Sequence, residues 1–215
     1  MDEITSKLFE KGVELIIERA VEKIYAMTPN GRVADAYREI VQESALEVRG
    51  FLKRVADTRW NGDMNRLAEH LSDTVTAREV AALVGRLFPE VVHSTTQERR
   101  RMLAAALASS FLPDFDGELK SRLARAVAIL EPSDVLHLYY LENSLKVIPD
   151  HITTRWQKSG RGADYSNEAL QAAGCLAVSG MAPGRPPLEV TKLGRELFTF
   201  LGPWMEELLR EPGQS

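Results

Sequence analysis

The chain has a single cysteine, Cys175, so no intramolecular disulfide can form. No apolar run approaches the roughly 20 residues that span hydrocarbon. The stretch from Val13 to Met27 is broken by Glu14, Glu18, Arg19, Glu22 and Lys23, and reads as an amphipathic helix of a soluble protein. A basic start leading into an apolar run and a small-residue cleavage site is also missing, so the expected location is the cytoplasm, with no membrane contact.

Excess positive charge is absent as well. The net charge is −4 and the pI near 5.7, so the whole molecule has no long-range attraction for phosphate backbones or anionic lipid. There is no P-loop, no dinucleotide glycine pattern after a strand and no GxSxG elbow. His70, His93, His137 and His151 lack HExxH or close Cys/His spacing and read as packing or surface residues. Glu39, Glu43 and Glu47 share a helical face, but with no ExxH companion they read as a solvated face. Cys175, between Gly174 and Leu176, reads as a core thiol. The chain is therefore expected to be no enzyme, with no cofactor, no metal and no catalytic residue.

What is present is a globular balance of 44% apolar and 27% charged residues with helical periodicity. Phe9, Val13, Ile16, Ala20 and Ile24 predict a helix over about Ile4 to Met27, followed by a turn at Pro29, Asn30 and Gly31. Val33, Tyr37, Val41, Val48 and Val55, widened by Ile40, Ala45 and Leu52, predict a second helix to Thr58. After Trp60, Asn61 and Gly62 a short helix is expected over Met64 to Leu71. Thr76 with Glu79 has capping-box spacing before a helix ending near Phe88, and Thr95 with Glu98 repeats it before Met102 to Phe111. Leu119, Leu123, Val127 and Leu130 mark a sixth helix, which Pro132 bounds.

The pattern changes from Pro132. A helix containing Val135, Leu138, Tyr139 and Leu141 is followed by loop or short extended structure over Lys146 to Asp164. Ser166 is then expected to cap a helix running toward Gly174. Cys175 to Val178 and Leu188 to Val190 read as short strands on either side of the Gly/Pro-rich tip SGMAPGRPP. Thr191 caps a last helix whose face is Leu193, Leu197, Phe198, Leu201 and Trp204. The expected fold is mainly α: a helical bundle over 1–131, a modified winged-helix-like domain with a small β-hairpin over 132–210, and a flexible tail over 211–215.

The order helix, loop, helix, GCLAVSG, loop, LEVTKLGRELFTFL resembles the end of a winged helix. The run ERRRMLAAALASSFLPDF, a following helix, LEPSDVLHLYYL and this tail are similar to the bacterial proteins grouped with the abortive-infection protein alpha, over roughly Glu98 to Trp204. That resemblance implies a bacterial cytosolic protein linked in some cases to phage defence, and carries over no catalytic set.

The contact residues follow from the winged-helix reading. Ser166, Asn167 and Gln171 lie on the candidate recognition helix, Arg155, Lys158 and Arg161 flank it, and Arg185 sits at the wing tip, where minor-groove insertion is possible. Against DNA, that helix carries Glu168 and no Arg or Lys, and Lys146 to Ser215 holds eight basic and eight acidic residues. Arg99, Arg100 and Arg101 point in different directions from one helix and read as packing against acidic helices or solvent. The expectation is a noncatalytic interaction or regulatory protein whose tail contacts a protein partner or a second copy. The alternatives are a DNA-binding transcriptional regulator and an enzyme with a site assembled from remote residues.

Overall fold

In the computed structural model the described residues are 17–26, 32–60, 74–112, 114–143, 150–160, 162–179 and 188–210. They form a mainly helical fold with one two-stranded antiparallel hairpin. The expected helix over Met64 to Leu71, the Pro29 to Gly31 turn, the start of the first helix, most of the wing tip and residues 211–215 lie outside them. The chain forms two compact units, Met1–Ala124 and Arg125–Ser215.

In the first unit a helix over residues 17–26 (α1) buries Ile17, Val21 and Ile24. Ile24 faces inward as expected, but the bulkier Val21 is buried in place of half-buried Ala20. Helix α2 (Arg32–Trp60) buries Val41, Ala45, Val48, Phe51, Leu52 and Val55 at three- and four-residue spacing. Tyr25 joins the two, its hydroxyl accepting from Gln42 Nε2 at 3.1 Å and donating to the Arg38 carbonyl at 3.4 Å.

Helix α3 (Thr74–His93) departs from expectation at both ends. It is already helical at Thr74, so Thr76 and Glu79 lie inside it. It also runs through Pro89, which removes one backbone donor, because Val91 and Val92 beyond the proline are both buried. Helix α4 (Gln97–Ser110) is capped one residue later than expected, by Thr96, whose hydroxyl accepts from Arg99 N at 3.2 Å.

Every residue of α4 from Met102 to Ser110 is buried. Four alanines and two serines in that run leave room for α2 and α3, both of which pack on it. Helix α5 (Gly117–Ile129) starts where Asp116 Oδ1 accepts from Leu119 N at 2.7 Å.

The second unit is built on α6 (Pro132–Glu142), whose start is closed by a capping box between Glu131 and Asp134. Next comes α7 (Asp150–Lys158), in the segment expected to be loop or extended. Only Ile152 and Trp156 mark its inner side, and its polar, threonine-containing turns gave too short a period to read. Helix α8 (Ala163–Ala172) begins after Gly162, three residues before the expected Ser166 cap. Ser166 is instead fully buried inside the helix.

Helix α8 ends in a Schellman turn: Cys175 N donates to Leu170 O at 2.8 Å and Gly174 N to Gln171 O at 2.9 Å, with Gly174 at φ 75°. Strands β1 (Leu176–Val178) and β2 (Leu188–Val190) follow, pairing Leu176 with Val190, Ala177 with Glu189 and Val178 with Leu188. Leu176 and Val190 are buried while Ala177 and Glu189 face solvent, and the pair nearer the tip opens outward, with Val178 53% exposed and Leu188 half-buried. Cys175 precedes the strand rather than belonging to it.

Thr191 caps α9 (Lys192–Phe200) as expected, accepting from Gly194 N at 3.1 Å, and its hydroxyl also donates to Gly174 O at 2.7 Å. The closing helix is not continuous. Leu201 ends α9, and α10 (Gly202–Leu209) restarts with Pro203 in its first turn, where no amide donor is needed. Trp204 and Leu201 are buried, while Phe198 is only half-buried and meets the Tyr139 ring edge-on at 5.8 Å.

The turn that seats α9 sets a steric limit. A Cβ on Gly194 would lie 2.5 Å from the Cys175 carbonyl oxygen, whereas one on Gly50 in α2 would meet nothing within 4 Å. Gly194→Ala is expected to lower unfolding stability by about 1–3 kcal/mol, and Gly50→Ala to raise it by about 0.5–1 kcal/mol. Denaturant melts of both variants check this pair; equal effects of the two would contradict the close approach.

Candidate functional site

The surface that the winged-helix-like topology sets apart is the outer side of α8. Leu170 and Ser166 point into the core, which leaves Asp164, Tyr165, Glu168, Gln171 and Ala172 exposed. Tyr165 is 71% exposed, the most open of the large apolar side chains among the described residues. This face has two carboxylates and no cation.

The expected contact residues divide. Lys158 is exposed at the end of α7 and Gln171 is exposed on α8. Asn167 is half-buried and turned toward α6. Ser166 is withdrawn entirely, because with α8 starting at Ala163 it falls on the same face as Leu170, one turn away. Arg155 belongs to α7, but its side chain, like Arg161 and Arg185, lies outside the described residues. Tyr165 was missed because a helix starting at Ser166 leaves it in the preceding loop. The alternation of exposed Asp164, Glu168 and Gln171 with buried Ser166 and Leu170 was the signal available.

What holds α8 in place is a polar and aromatic joint. His137 on α6 is 4% exposed, and its Nε2–H donates to Asn167 Oδ1 on α8 at 2.9 Å. The imidazole stacks on Trp156 of α7, ring centroids 4.9 Å apart and planes inclined by 18°, and Tyr140 stacks on the same indole at 5.8 Å. One histidine thus meets all three helices of the motif. Tyr140 is 38% exposed, at the outer part of this stack.

Burial pushes the His137 imidazole below its ordinary value, while the Asn167 hydrogen bond and the Asp134 charge act in the opposite sense. The bond to Asn167 uses the neutral Nε2–H tautomer, and Nδ1 is buried with no hydrogen-bond partner among the described residues. Burial also pushes the Cys175 thiol up to about 12, which removes the thiolate needed for reactivity.

In the first unit, Arg100 of α4 pairs with Glu43 of α2 at 3.4 Å. Arg54 and Arg101 approach the buried Phe51 ring with their Cζ atoms 4.3 and 5.9 Å from its centroid. Burial raises the pKa of the Glu47 carboxyl against the pull of Arg100 and Arg101. Lys120, almost fully buried, is lowered by burial against Glu79, Asp114 and Asp116. Among the described residues no three His, Cys, Asp or Glu side chains gather to hold a metal, and no helix is long and apolar enough to cross a membrane.

The depressed His137 titration fixes a pH dependence. Above its ordinary value of 6.5 the imidazole is neutral in both folded and unfolded chains. As pH falls below that value the unfolded chain takes up the proton first, so stability falls until the lower folded value is passed. Urea midpoints at pH 7.5 and 5.5 are expected to differ more for the wild type than for His137→Gln. Parallel profiles would contradict the buried neutral imidazole.

Comparison with protein-family models, with curated proteins and with solved structures finds no match for this chain.

Proposed function

We propose that the chain is a noncatalytic interaction or regulatory protein whose winged-helix-like part meets another protein through the exposed face of α8. The observation that carries this reading is the charge of that face: Asp164 and Glu168 are exposed on it, and no lysine or arginine is. A helix seated in the major groove lies between two rows of phosphates, and carboxylates there add repulsion where a DNA reader gains affinity from cations. Lys158 alone among the four basic residues expected at phosphates has a described side chain. On the resemblance to abortive-infection alpha proteins read from the sequence alone over Glu98 to Trp204, phage defence in a bacterial cytosol is proposed as its setting.

Selection from a diverse duplex library at near-physiological salt tests it. The wild type is expected to enrich no sequence and to hold random duplex no tighter than about 10⁻⁵ M. Recovery of a reproducible sequence bound at about 10⁻⁸ M or tighter, with a steep fall in affinity as salt rises, would overturn it in favour of a transcriptional regulator.

A further inference from the structure

We infer that α7 and the first turns of α8 form an acid-operated latch, in which a proton on the buried His137 ring frees this segment from α6 while the hairpin and the closing helices stay folded. The ring has one satisfied nitrogen and one that is not. Nε2–H donates to Asn167 Oδ1 at 2.9 Å, and Nδ1 is buried with no hydrogen-bond partner among the described residues. A neutral imidazole tolerates this, because Nδ1 then carries only a lone pair. The imidazolium has a second N–H there, and a charge on a residue that is 4% exposed. The bond to Asn167 survives protonation, so the acid effect falls on Nδ1 and on the hydration of the ring.

Two groups oppose the release. Trp156 lies flat against the ring, centroids 4.9 Å apart, and offers its π face to a cation. Asp134, three residues before His137 on α6, draws the proton toward the ring, but its Oδ2 is engaged by the Glu131 amide at 2.9 Å in the box that starts α6. On the other elements packed against α6, Asp150 and Lys158 of α7, Asp164 and Glu168 of α8, and Glu189 of β2 are all exposed, and Arg195 of α9 pairs with Glu142 at the far end of α6. Burial outweighs the Asn167 bond and the Asp134 charge together and holds the ring below its ordinary value of 6.5. Water reaches it with least loss of buried surface through α7 and the start of α8. Up to Asn167 the described side chains of this segment bury Ile152 and Ser166, with Trp156 half-buried, whereas α6 buries Val135, Leu136 and Leu138. The far end of α8 is fixed separately, by buried Leu170 and the Gly174 turn. Asp164 and Tyr165 lie on the released turns, so acid withdraws that face whatever it meets.

The open segment binds the proton at the ordinary value and the closed one only at a lower pH, so the open population grows as pH falls below 6.5, by up to about tenfold per pH unit for one proton. Amide hydrogen exchange of the full chain at pH 7.5 and 5.5, corrected for intrinsic rates and followed at several low urea concentrations, tests the latch. Amides of α7 and of α8 up to Asn167 are expected to exchange ahead of those of α6 and α9, with little urea dependence, and to lose up to about tenfold in protection at pH 5.5. Ring nitrogen-15 spectra of the wild type are expected to show His137 Nδ1 taking its proton below pH 6.5, which reads the trigger without any variant. His137→Gln, a neutral side chain that keeps a donor, is expected to abolish the acid-induced loss. His151→Gln, which replaces the half-buried imidazole of α7, is expected to retain it. Exchange of α6, α7, α8 and α9 as one cooperative unit, a His137 ring that titrates at or above 6.5, or an acid response that vanishes with His151 and persists without His137 would overturn the inference.

Discussion

The winged-helix-like unit depends on one contact, the bond from His137 Nε2–H to Asn167. It is short, part-buried and made between side chains of two different helices, so it defines how α8 lies on α6 as well as adding stability. The Trp156 stack on the same imidazole draws in α7, a helix of nine residues with little apolar surface of its own. Stacked aromatic pairs contribute about 0.5–1.5 kcal/mol beyond simple burial. With Asn167 turned inward, Asp164, Glu168 and Gln171 are rotated to the outside, and the character of the exposed face follows from the joint.

At its other end α8 is held by backbone geometry. The left-handed turn at Gly174 releases the chain into β1, and Thr191 bonds back to the Gly174 carbonyl while capping α9. One threonine therefore couples the end of α8, the base of the hairpin and the start of the closing helix. The first unit uses a different device: α4 is buried from Met102 to Ser110 and is rich there in small side chains, so α2 and α3 approach it closely without needing polar specificity.

The mainly helical class, the hairpin and the Thr191 cap were legible because each has a short-range cause: apolar period, alternation between Gly-rich turns, and a hydroxyl ahead of a glycine amide. Helix α7 was not, since DHITTRWQK has an apolar pair one turn apart and nothing else that repeats. Its order derives from Trp156 stacking on a residue far away in sequence. The start of α8 was misplaced because Ser166 resembles a cap, while the true start at Gly162 offers no side-chain bond. That shift of four residues in the cap hid Tyr165 and turned a buried serine into an apparent contact. The helix expected to end near Phe88 instead continues through Pro89, since burial of Val91 and Val92 outweighed the lost backbone bond. The candidate contact set was legible only as a list of polar types; which of them faced outward depended on the His137 joint, a pairing across thirty residues that no local pattern announces.

A double-mutant cycle on His137 and Asn167, read by urea unfolding and by hydrogen exchange of the α8 amides, tests that joint most directly. The two single changes, His137→Phe and Asn167→Ala, are expected to be coupled by at least about 1 kcal/mol and to speed exchange along α8 ahead of the rest of the unit. Additive effects, with α8 amides protected as well in Asn167→Ala as in the wild type, would contradict the account.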